Sequence, residues 1–289
     1  MMTMIRPYTT GDAAVLRRLA QTFSPAAPLP ATSRRTTWVL LRQGEIIGCA
    51  GFALVPGLPG VADLDGFIAP RWQRGGAGSQ LLRFVLRRAW NAGISHLNHA
   101  VPSLDTPAAH FLTHHHFHLE HSETQFRLSP LDALPPPTLP PGYTVATLSE
   151  RSVIPHFRAL YDASFAPHPW HQPYPEDADV RAEMDHVGAT AADFLFLQYE
   201  AQPVGVAWLR RLPFDEGEIE PVGIMPAHQR RGLGRALLLL ALNRLYAQGI
   251  RATRIAAWDA NAAATHLYRS LGFRPASRLF YLTRATAPT

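Results

Sequence analysis

The chain has 289 residues, of which 47% are hydrophobic and 17% charged, a balance typical of a globular protein with room for two ordinary domains. The net charge of +5 comes from scattered arginines without any lysine, which argues against a nucleic-acid-binding protein. Cys49 alone excludes an intrachain disulfide and favours a cytoplasmic protein, and without an apolar run of about 18 residues or a signal core we expect no membrane insertion or secretion.

The pattern along the chain predicts the same order of elements twice. A helix comes first, then two strands, a third strand that enters a glycine-rich loop, a long helix, a strand, a last helix and a final strand. The first helices are predicted at 11–23 and 154–165, and the third strands at 61–70 and 217–226. This predicts an α/β fold (an α+β mixed sheet) with helices on both faces, present as two domains in tandem.

A proline-rich segment separates the two halves. The stretch SPLDALPPPTLPPG, residues 129–142, contains six prolines. Proline fixes φ and removes a backbone donor, so we expect an extended linker outside any core. The predicted division is a first domain at 1–130, a linker at 131–141 and a second domain at 142–289.

An internal duplication relates the halves. The segments FIAPRWQRGGAGSQLL and GIMPAHQRRGLGRALL align at an offset of 156, the difference between Gln229 and Gln73. The same offset holds over some fifty residues and pairs the glycines as well as the leucines, which two unrelated leucine-rich helices would not explain. The paired positions include Ile68 with Ile224, Gly76 with Gly232, Gly78 with Gly234, Gly93 with Gly249 and Phe117 with Phe273.

The glycine loop predicts a phosphate site, the alternative being an ordinary helix start. The first backbone N–H groups of a helix have no partner within it and attract anions, and glycine lets a phosphate approach closely. Three arginines, Arg230, Arg231 and Arg235, add positive charge around Gly232. A P-loop is excluded because it requires lysine, and the dinucleotide motif G-x-G-x-x-G fails because Leu237 replaces its third glycine.

These motifs resemble the GNAT superfamily, the Gcn5-related N-acetyltransferases, in a tandem form. The family signature Q/R-x-x-G-x-G/A matches at Gln229 and again at Gln73. The resemblance implies acetyl-CoA as donor and strands that separate to admit its pantetheine arm, with backbone amides near Ile224 polarising the thioester. The implied cofactor-binding residues are Ile224, Met225, Gln229, Arg230, Arg231, Gly232, Leu233, Gly234, Arg235, Ala236 and Asn261. A possible second cofactor site contains Ile68, Gln73, Arg74, Gly75, Gly76, Ala77, Gly78 and Ser79.

The resemblance also implies catalytic residues in the second half. In NAAATHLYRSLGF, Tyr268 matches the tyrosine that assists departure of the CoA sulfur, and a phenol remains protonated at neutral pH. Asn261 matches a residue that contacts the pantetheine arm, although a helix N-cap is an alternative. Glu218, eleven residues before Gln229, is the preferred base, followed by Glu220 on the same face of a strand. Pro221 and Gly223 predict a bulge in this strand.

The first half lacks these groups at the equivalent positions. Leu112 stands where the second half has Tyr268, and Ala62 and Leu64 stand where it has the two glutamates. We therefore expect one active half, the second, with a first half that either binds CoA without turnover or only supports its neighbour.

The predicted reaction is acetyl transfer to a primary amine of a small molecule or peptide, without nucleic acid or membrane partners and with the oligomeric state open. The alternatives are a CoA-binding regulatory or structural module and an acyltransferase for protein N-termini. Six histidines in HFLTHHHFHLEH suggest zinc by spacing, but they align with an ordinary helix end, so no metal is expected. Trp170, Tyr174, Glu176 and Asp177 lie in a segment that either shapes an amine pocket or forms a plain surface loop.

Overall fold

The computed structural model describes residues 3–22, 35–132, 134–168 and 171–287. These residues fold into two compact units: unit 1 contains Met1–His121 and Leu279–Thr289, and unit 2 contains Ser122–Arg278. None of the helices within the described ranges has the length and apolar character needed to cross a membrane. The predicted fold class is confirmed, because each unit is a mixed sheet covered by helices.

Unit 1 contains a sheet in the order β1-β2-β3-β4-β5-β12, in which only β4 and β5 are parallel. Its core lies between this sheet and the second and third helices, because apolar side chains recur on the helix faces that meet the strands. The elements that enter unit 1 are β1 (Thr3–Pro7), α1 (Ala13–Gln21), β2 (Arg35–Arg42), β3 (Glu45–Leu54), β4 (Val61–Ile68), α2 (Ala77–Asn91), β5 (His96–Val101), α3 (Pro107–His114), the start of β6 (His118–Leu128) and the end of β12 (Arg274–Ala285).

Unit 2 contains a sheet in the order β6-β11-β10-β9-β8-β7, with apolar cores on both faces. One core packs under α6 and α7, and the other under α4 and α5. The further elements of unit 2 are β7 (Tyr143–Ala146), α4 (Glu150–Phe165), α5 (Asp177–Val187), β8 (Phe194–Tyr199), β9 (Gln202–Leu212), β10 (Glu216–Ile224), α6 (Leu233–Ala247), β11 (Ala252–Trp258) and α7 (Ala262–Ser270).

The final strand of each sequence half contributes to the sheet of the other half's unit. Residues from Ser122 onward in β6 belong to unit 2, where they pair antiparallel with β11. Residues from Leu279 onward in β12 belong to unit 1, where they pair antiparallel with β5. The compact units therefore differ from the predicted division, which assigned 122–130 to the first domain and 279–289 to the second.

The described residues of the proline-rich segment, 129–132 and 134–142, form no helix or strand, as predicted, but they are not all outside the core. Leu131 is fully buried in the core under α6, and its N–H donates to the carbonyl of Arg251 at 2.7 Å. Leu134 and Leu139 pack against the same core. The prolines correctly predicted an irregular backbone. The leucines between them anchor the segment to the core of unit 2.

The separation of strands that the resemblance implied is present in both units. In unit 2, β10 and β11 pair only from Glu216 to Glu218. In unit 1, β4 and β5 pair only from Val61 to Asp63. Beyond these short ladders the parallel strands separate, and in each unit the opening lies beside the start of the long helix that follows the glycine loop.

Candidate active site

The glycine loop of unit 2 places free backbone donors at an open surface. Gly232 has φ of 79° and is the N-cap of α6, whose first helical bond runs from the Ala236 N–H to the Gly232 carbonyl at 3.1 Å. The N–H groups of Leu233, Gly234 and Arg235 precede that bond and have no acceptor within the helix. A Cβ built on Gly232 would meet nothing within 4 Å, so the space in front of these donors is open to an anion.

A side-chain clamp holds this loop to the end of the third strand in both units. The Gln229 amide donates to the Ile224 carbonyl at 2.9 Å, and the Gln73 amide donates to the Ile68 carbonyl at 2.8 Å. The glutamine of the shared motif is therefore positioned to fix the loop against the strand. Because the Gln229 amide already donates to this carbonyl, direct contact between Gln229 and a cofactor stays a prediction.

The three arginines near the loop of unit 2 have different environments. Arg231 donates to the Tyr143 hydroxyl at 3.1 Å, and Arg235 donates to the Ser270 hydroxyl at 2.9 Å. Arg230 is exposed and has φ of 59°, a left-handed conformation that turns the chain into the loop. All three add positive charge around the start of α6, as predicted from the sequence.

The predicted bulge in β10 is present, two residues before the glycine that was expected to mark it. Ile219 pairs with Leu209 and Val222 pairs with Ala207, so Glu220 and Pro221 together stand opposite one residue of β9. Gly223 has another role, since a Cβ there would lie 2.9 Å from the Ser164 hydroxyl oxygen of α4. Glycine at 223 thus permits the close approach of α4.

The backbone of Ile224 faces the separated strand. The Met225 N–H donates to the carbonyl of Val204 in β9 at 2.9 Å. Bonded and non-bonded pairs alternate along an antiparallel ladder, so the Ile224 N–H points away from β9 toward the opening beside β11. This direction suits a donor to a carbonyl held in the opening, the role that the resemblance gave to this backbone.

Tyr268 of α7 lies under the same opening. Its side chain is 6% exposed, and its ring packs edge-on against Phe126 at 5.8 Å and against Phe273 at 6.0 Å. Burial raises the pKa of the Tyr268 phenol, and the charge of Glu220 raises it further. The phenol is therefore protonated at neutral pH and available as a hydrogen-bond donor.

Glu218 is held in an ion pair. Its side chain is buried. One carboxylate oxygen accepts from Arg254 Nε at 2.7 Å, and the other lies 3.9 Å from Arg210 Nη1. A carboxylate that accepts hydrogen bonds from a guanidinium gives up that stabilisation when it is protonated. Both carboxylate oxygens are therefore directed at guanidiniums, although Glu218 was the preferred base from sequence.

Glu220 has the environment expected of a base. It lies at the bulge, where the residue as a whole is exposed to solvent. Withdrawal from bulk water, followed by the charges of Glu218 and Glu123, raises the pKa of Glu220 to about 7, while Arg210 acts in the opposite direction. Because Glu220 also acts on the pKa of Tyr268, the two groups belong to one site.

Further functional groups come from elements that sequence reasoning missed. Helix α5 was not predicted, and it supplies Glu183, which accepts from the Tyr174 hydroxyl and from Arg210, both at 2.5 Å. Glu176 and Asp179 form the capping box of α5, a signal in PEDAD that could have located the helix. Trp170 lies outside the described residues, whereas Tyr174 packs on Tyr161 of α4 at 5.1 Å.

Asn261 is the N-cap of α7, where its side chain accepts from the Ala264 N–H at 3.1 Å. This confirms the capping alternative, and contact with a pantetheine arm stays a prediction. The histidine run spans the end of α3 and the start of β6. Among the described residues, no three His, Cys, Asp or Glu side chains are arranged to hold a metal ion.

The equivalent region of unit 1 has the loop without the chemistry. Gly76 has φ of 81° and caps α2, but β4 pairs with β3 without a bulge. His99 Nδ1 donates to the Leu64 carbonyl at 2.8 Å, at the place where β4 and β5 begin to separate. Ser79, in the first turn of α2, has its hydroxyl 2.8 Å from His115 Nε2.

A splayed mixed sheet beside a glycine-loop helix, present twice in one chain, defines the tandem class of Gcn5-related transferase folds. A profile described as the acetyltransferase (GNAT) family matches residues 13–117 and 156–273, and the chain belongs to this family. The predicted family and tandem architecture are confirmed.

The similar proteins are named as mycothiol acetyltransferases and, among solved structures, as a tandem GNAT protein. A mycothiol acetyltransferase from Renibacterium salmoninarum is 32% identical over 248 residues, which cover 78% of this chain and 68% of the relative. One from Cellulomonas flavigena is 33% identical over 147 residues, and there the match spans only 42% of the relative's length and 47% of this chain. The solved structure of a tandem GNAT protein from the clavulanic acid biosynthesis pathway matches this chain with a TM-score of 0.69 at 18% identity. The match covers 100% of both chains.

Proposed function

We propose that this protein transfers an acetyl group from acetyl-CoA to a primary amine of a small molecule or peptide, and that unit 2 performs the reaction. The observation that carries the proposal is the position of Glu220 at the bulge, where β10 and β11 have separated, with its charge acting on the buried phenol of Tyr268. A base and a phenolic donor at one opening, beside an anion-binding helix start, supply what acyl transfer to an amine requires.

The residues present fit a diphosphate-bearing donor. The open space at Gly232 and the free N–H groups at the start of α6 suit the diphosphate, with Arg230 as an exposed counter-charge. The Ile224 N–H points into the opening, where it would donate to the thioester carbonyl. When bound, acetyl-CoA supplies an acetyl thioester whose carbonyl carbon accepts the amine.

The chain's own groups account for the proton movements. Glu220 takes the proton that the attacking ammonium must lose, and its pKa of about 7 lets it bind and release a proton near neutral pH. The amine nitrogen forms a bond to the carbonyl carbon, and the bond from that carbon to sulfur breaks. Tyr268 donates a proton or hydrogen bond to the departing sulfur, which fits its buried, protonated phenol.

Glu218 acts through Glu220 in this proposal. Its charge is held in place by Arg254 and adds to the causes that raise the pKa of Glu220. Glu218 is therefore a positioning residue, and the base role that sequence analysis gave first to Glu218 passes to Glu220.

Unit 1 is proposed to support unit 2 without turnover. It has a leucine, Leu112, at the position of Tyr268, and the His99 side chain bridges the strands where the opening begins. We expect one acetyl-CoA per chain, bound in unit 2. The relatives named mycothiol acetyltransferases support a small-molecule acceptor, and the lone cysteine supports a cytoplasmic reaction.

The test is thiol release from acetyl-CoA against a panel of primary amines, with calorimetry for CoA binding. Release with at least one amine, abolished in E220Q while CoA binding persists, supports the proposal. Binding of CoA without release for any amine or peptide N-terminus would instead support a binding module. Faster release from a longer acyl-CoA than from acetyl-CoA would replace the donor but keep the mechanism.

A further inference from the structure

The face of the unit 2 sheet that packs against α4 and α5 has an excess of negative charge beside the opening. Four carboxylates, those of Glu123, Glu183, Glu218 and Glu220, are coupled there to two guanidiniums, Arg210 and Arg254, and these six residues are called the acceptor-face cluster. With all six ionised, two negative charges are left unbalanced.

The strand register puts Glu123 on this face although it comes from the first half of the sequence. Glu218 is joined to Arg254, and alternate residues of β11 share a face, so Trp258 lies on the same side as Arg254. Glu123 stands directly opposite Trp258 on β6. The ring of Trp258 contacts His168, just after α4, at 5.1 Å, which confirms that this row faces α4.

Spacing separates Glu123 from the reacting end of the site. Strand β11 lies between β6 and β10, and Glu220 lies beyond Glu218, the last residue of β10 that pairs with β11. Two strand spacings of about 4.8 Å therefore put the Cα atoms of Glu123 and Glu220 more than roughly 10 Å apart. Ala256 of β11 is opposite Gln125 of β6, and both lie on this face between the two glutamates. An acceptor that contacts both glutamates must cross β11 at this point.

Neighbouring side chains also point to a ligand on this face. Ser164 of α4 is 6% exposed, and its hydroxyl has no partner among the described residues, next to Gly223 of β10. Buried hydroxyls almost always have a hydrogen-bond partner, so an orphan beside the opening marks a place for a ligand's polar group. Tyr161, with Phe165 at 5.1 Å and His171 at 4.9 Å, adds an aromatic wall of the kind that favours organic cations.

We propose that the acceptor carries two positive charges, a primary amine that reacts beside Glu220 and a second cationic group that is bound by Glu123. This inference rests on the proposed function and specifies its acceptor. The second cation offsets negative charge that Arg210 and Arg254 do not neutralise. Glu123 selects the acceptor without touching the reacting atoms.

The experiment compares 1,4-diaminobutane with butylamine as acceptors for the full chain and for E123Q. The amide of glutamine keeps the size of the side chain and removes its charge. E216Q is the matched control, because Glu216 is a sheet carboxylate that pairs with Arg127 at 2.8 Å, outside the acceptor-face cluster. E123D, which keeps the charge on a shorter side chain, tests for rescue.

For the native chain, kcat/KM should be higher with the diamine than with the monoamine. E123Q should lower kcat/KM for the diamine about tenfold through KM, with kcat little changed, because it removes one contact between opposite charges in a partly buried site. Butylamine should respond less than about twofold to E123Q, and both amines less than about twofold to E216Q, the scale of exposed ion pairs. E123D should recover part of the preference for the diamine.

An equal loss for both amines in E123Q would assign Glu123 to the fold or to the tuning of Glu220 and overturn the inference. An unchanged ratio between the amines, or a native chain that acetylates butylamine as well as the diamine, would overturn it too while leaving the proposed acetyl transfer standing. If no amine releases thiol from acetyl-CoA, the proposed function fails, and the inference falls with it.

Discussion

Units 1 and 2 hold their glycine loops with the same contacts, but different side chains and a different strand geometry line the opening beside each loop. Each has a capping glycine with φ near 80°, and each has a glutamine amide on the carbonyl that ends the third strand. The third strand has a bulge in unit 2, where Glu220 and Pro221 together stand opposite one residue of β9, and it has none in unit 1. A duplicated scaffold can therefore retain the geometry of its glycine loop while the candidate catalytic side chains lie in one copy.

The residues at the opening show where the two units differ. At the position equivalent to Glu220, unit 1 has Leu64, whose carbonyl accepts from His99 across the gap between the strands. In unit 2 the corresponding side chain on β11 is Ile255, which is buried in the core under α6. One imidazole thus bridges the strands of unit 1, while in unit 2 a carboxyl and the phenol of Tyr268 flank the gap.

The strongest test of this comparison is removal of the base. E220Q should reduce kcat by a factor on the order of 10² to 10⁴, the usual contribution of general base catalysis, and leave CoA binding intact. Thiol release and calorimetry on the same preparation measure the two effects, with E216Q as the control for loss of a sheet carboxylate. A variant E220Q that keeps most of the native kcat would return the base role to another group.

Removal of the phenol is expected to have the next largest effect. Y268F should lower kcat about 10- to 100-fold, because the departing sulfur loses its donor, and should leave the affinity for CoA unchanged. Y246F removes a phenolic hydroxyl from α6, where Tyr246 packs under Arg251 at 4.6 Å, and should retain native turnover. Equal losses in the two variants would show that a packing change, and not the missing donor, is responsible.

The two loops can be compared directly with a matched pair of variants. G232A and G76A place a Cβ at φ of 79° and 81°, in open space in both units, at a cost of about 1–2 kcal/mol each. Both should lower the melting temperature similarly, but only G232A should raise KM for acetyl-CoA, by roughly five- to thirtyfold if all of that energy is lost from binding. A similar rise in G76A would mean that the loop of unit 1 also serves the donor.

The smallest expected effect concerns pH. Because Glu220 must be unprotonated to act, kcat/KM should rise with pH through about 7, following the raised pKa of Glu220. In E218Q the loss of a neighbouring negative charge lowers that pKa, so the rising limb should move to lower pH by up to about one unit. The charges of Glu123 and Glu183 remain and continue to raise it, and Arg210 continues to lower it. A limb that stays in place or moves to higher pH would separate Glu218 from Glu220.

Much of the scaffold followed from residue patterns. The offset of 156 located both loops, and the glycines at 76 and 232 do take the left-handed conformation that the phosphate site required. Glycine after a strand and before a helix is a local signal, readable from a few adjacent residues. The same holds for the capping glycines at 93 and 249, which have φ of 77° and 89°.

What the patterns missed depends on which strands become neighbours. Alternation in β6 shows that one face is buried but not which sheet the strand joins, so the place of Glu123 in unit 2 was not visible. The ion pair of Glu218 with Arg254 requires the register of β10 on β11, which no local signal specifies. Leu131 was assigned to a free linker because the prolines around it dominated the local composition.

The exchanged final strands make the completion of unit 1 depend on synthesis of the second repeat. Its sheet is completed by residues 279–285, which follow β6 by about 150 residues, or roughly 8–30 s of translation at ordinary rates. Until then the edge of β5 has no strand to cover it, although every other strand of unit 1 has already left the ribosome. A nascent chain that stalls within the second repeat would therefore expose an unpaired sheet edge, a template for association that chaperones must shield.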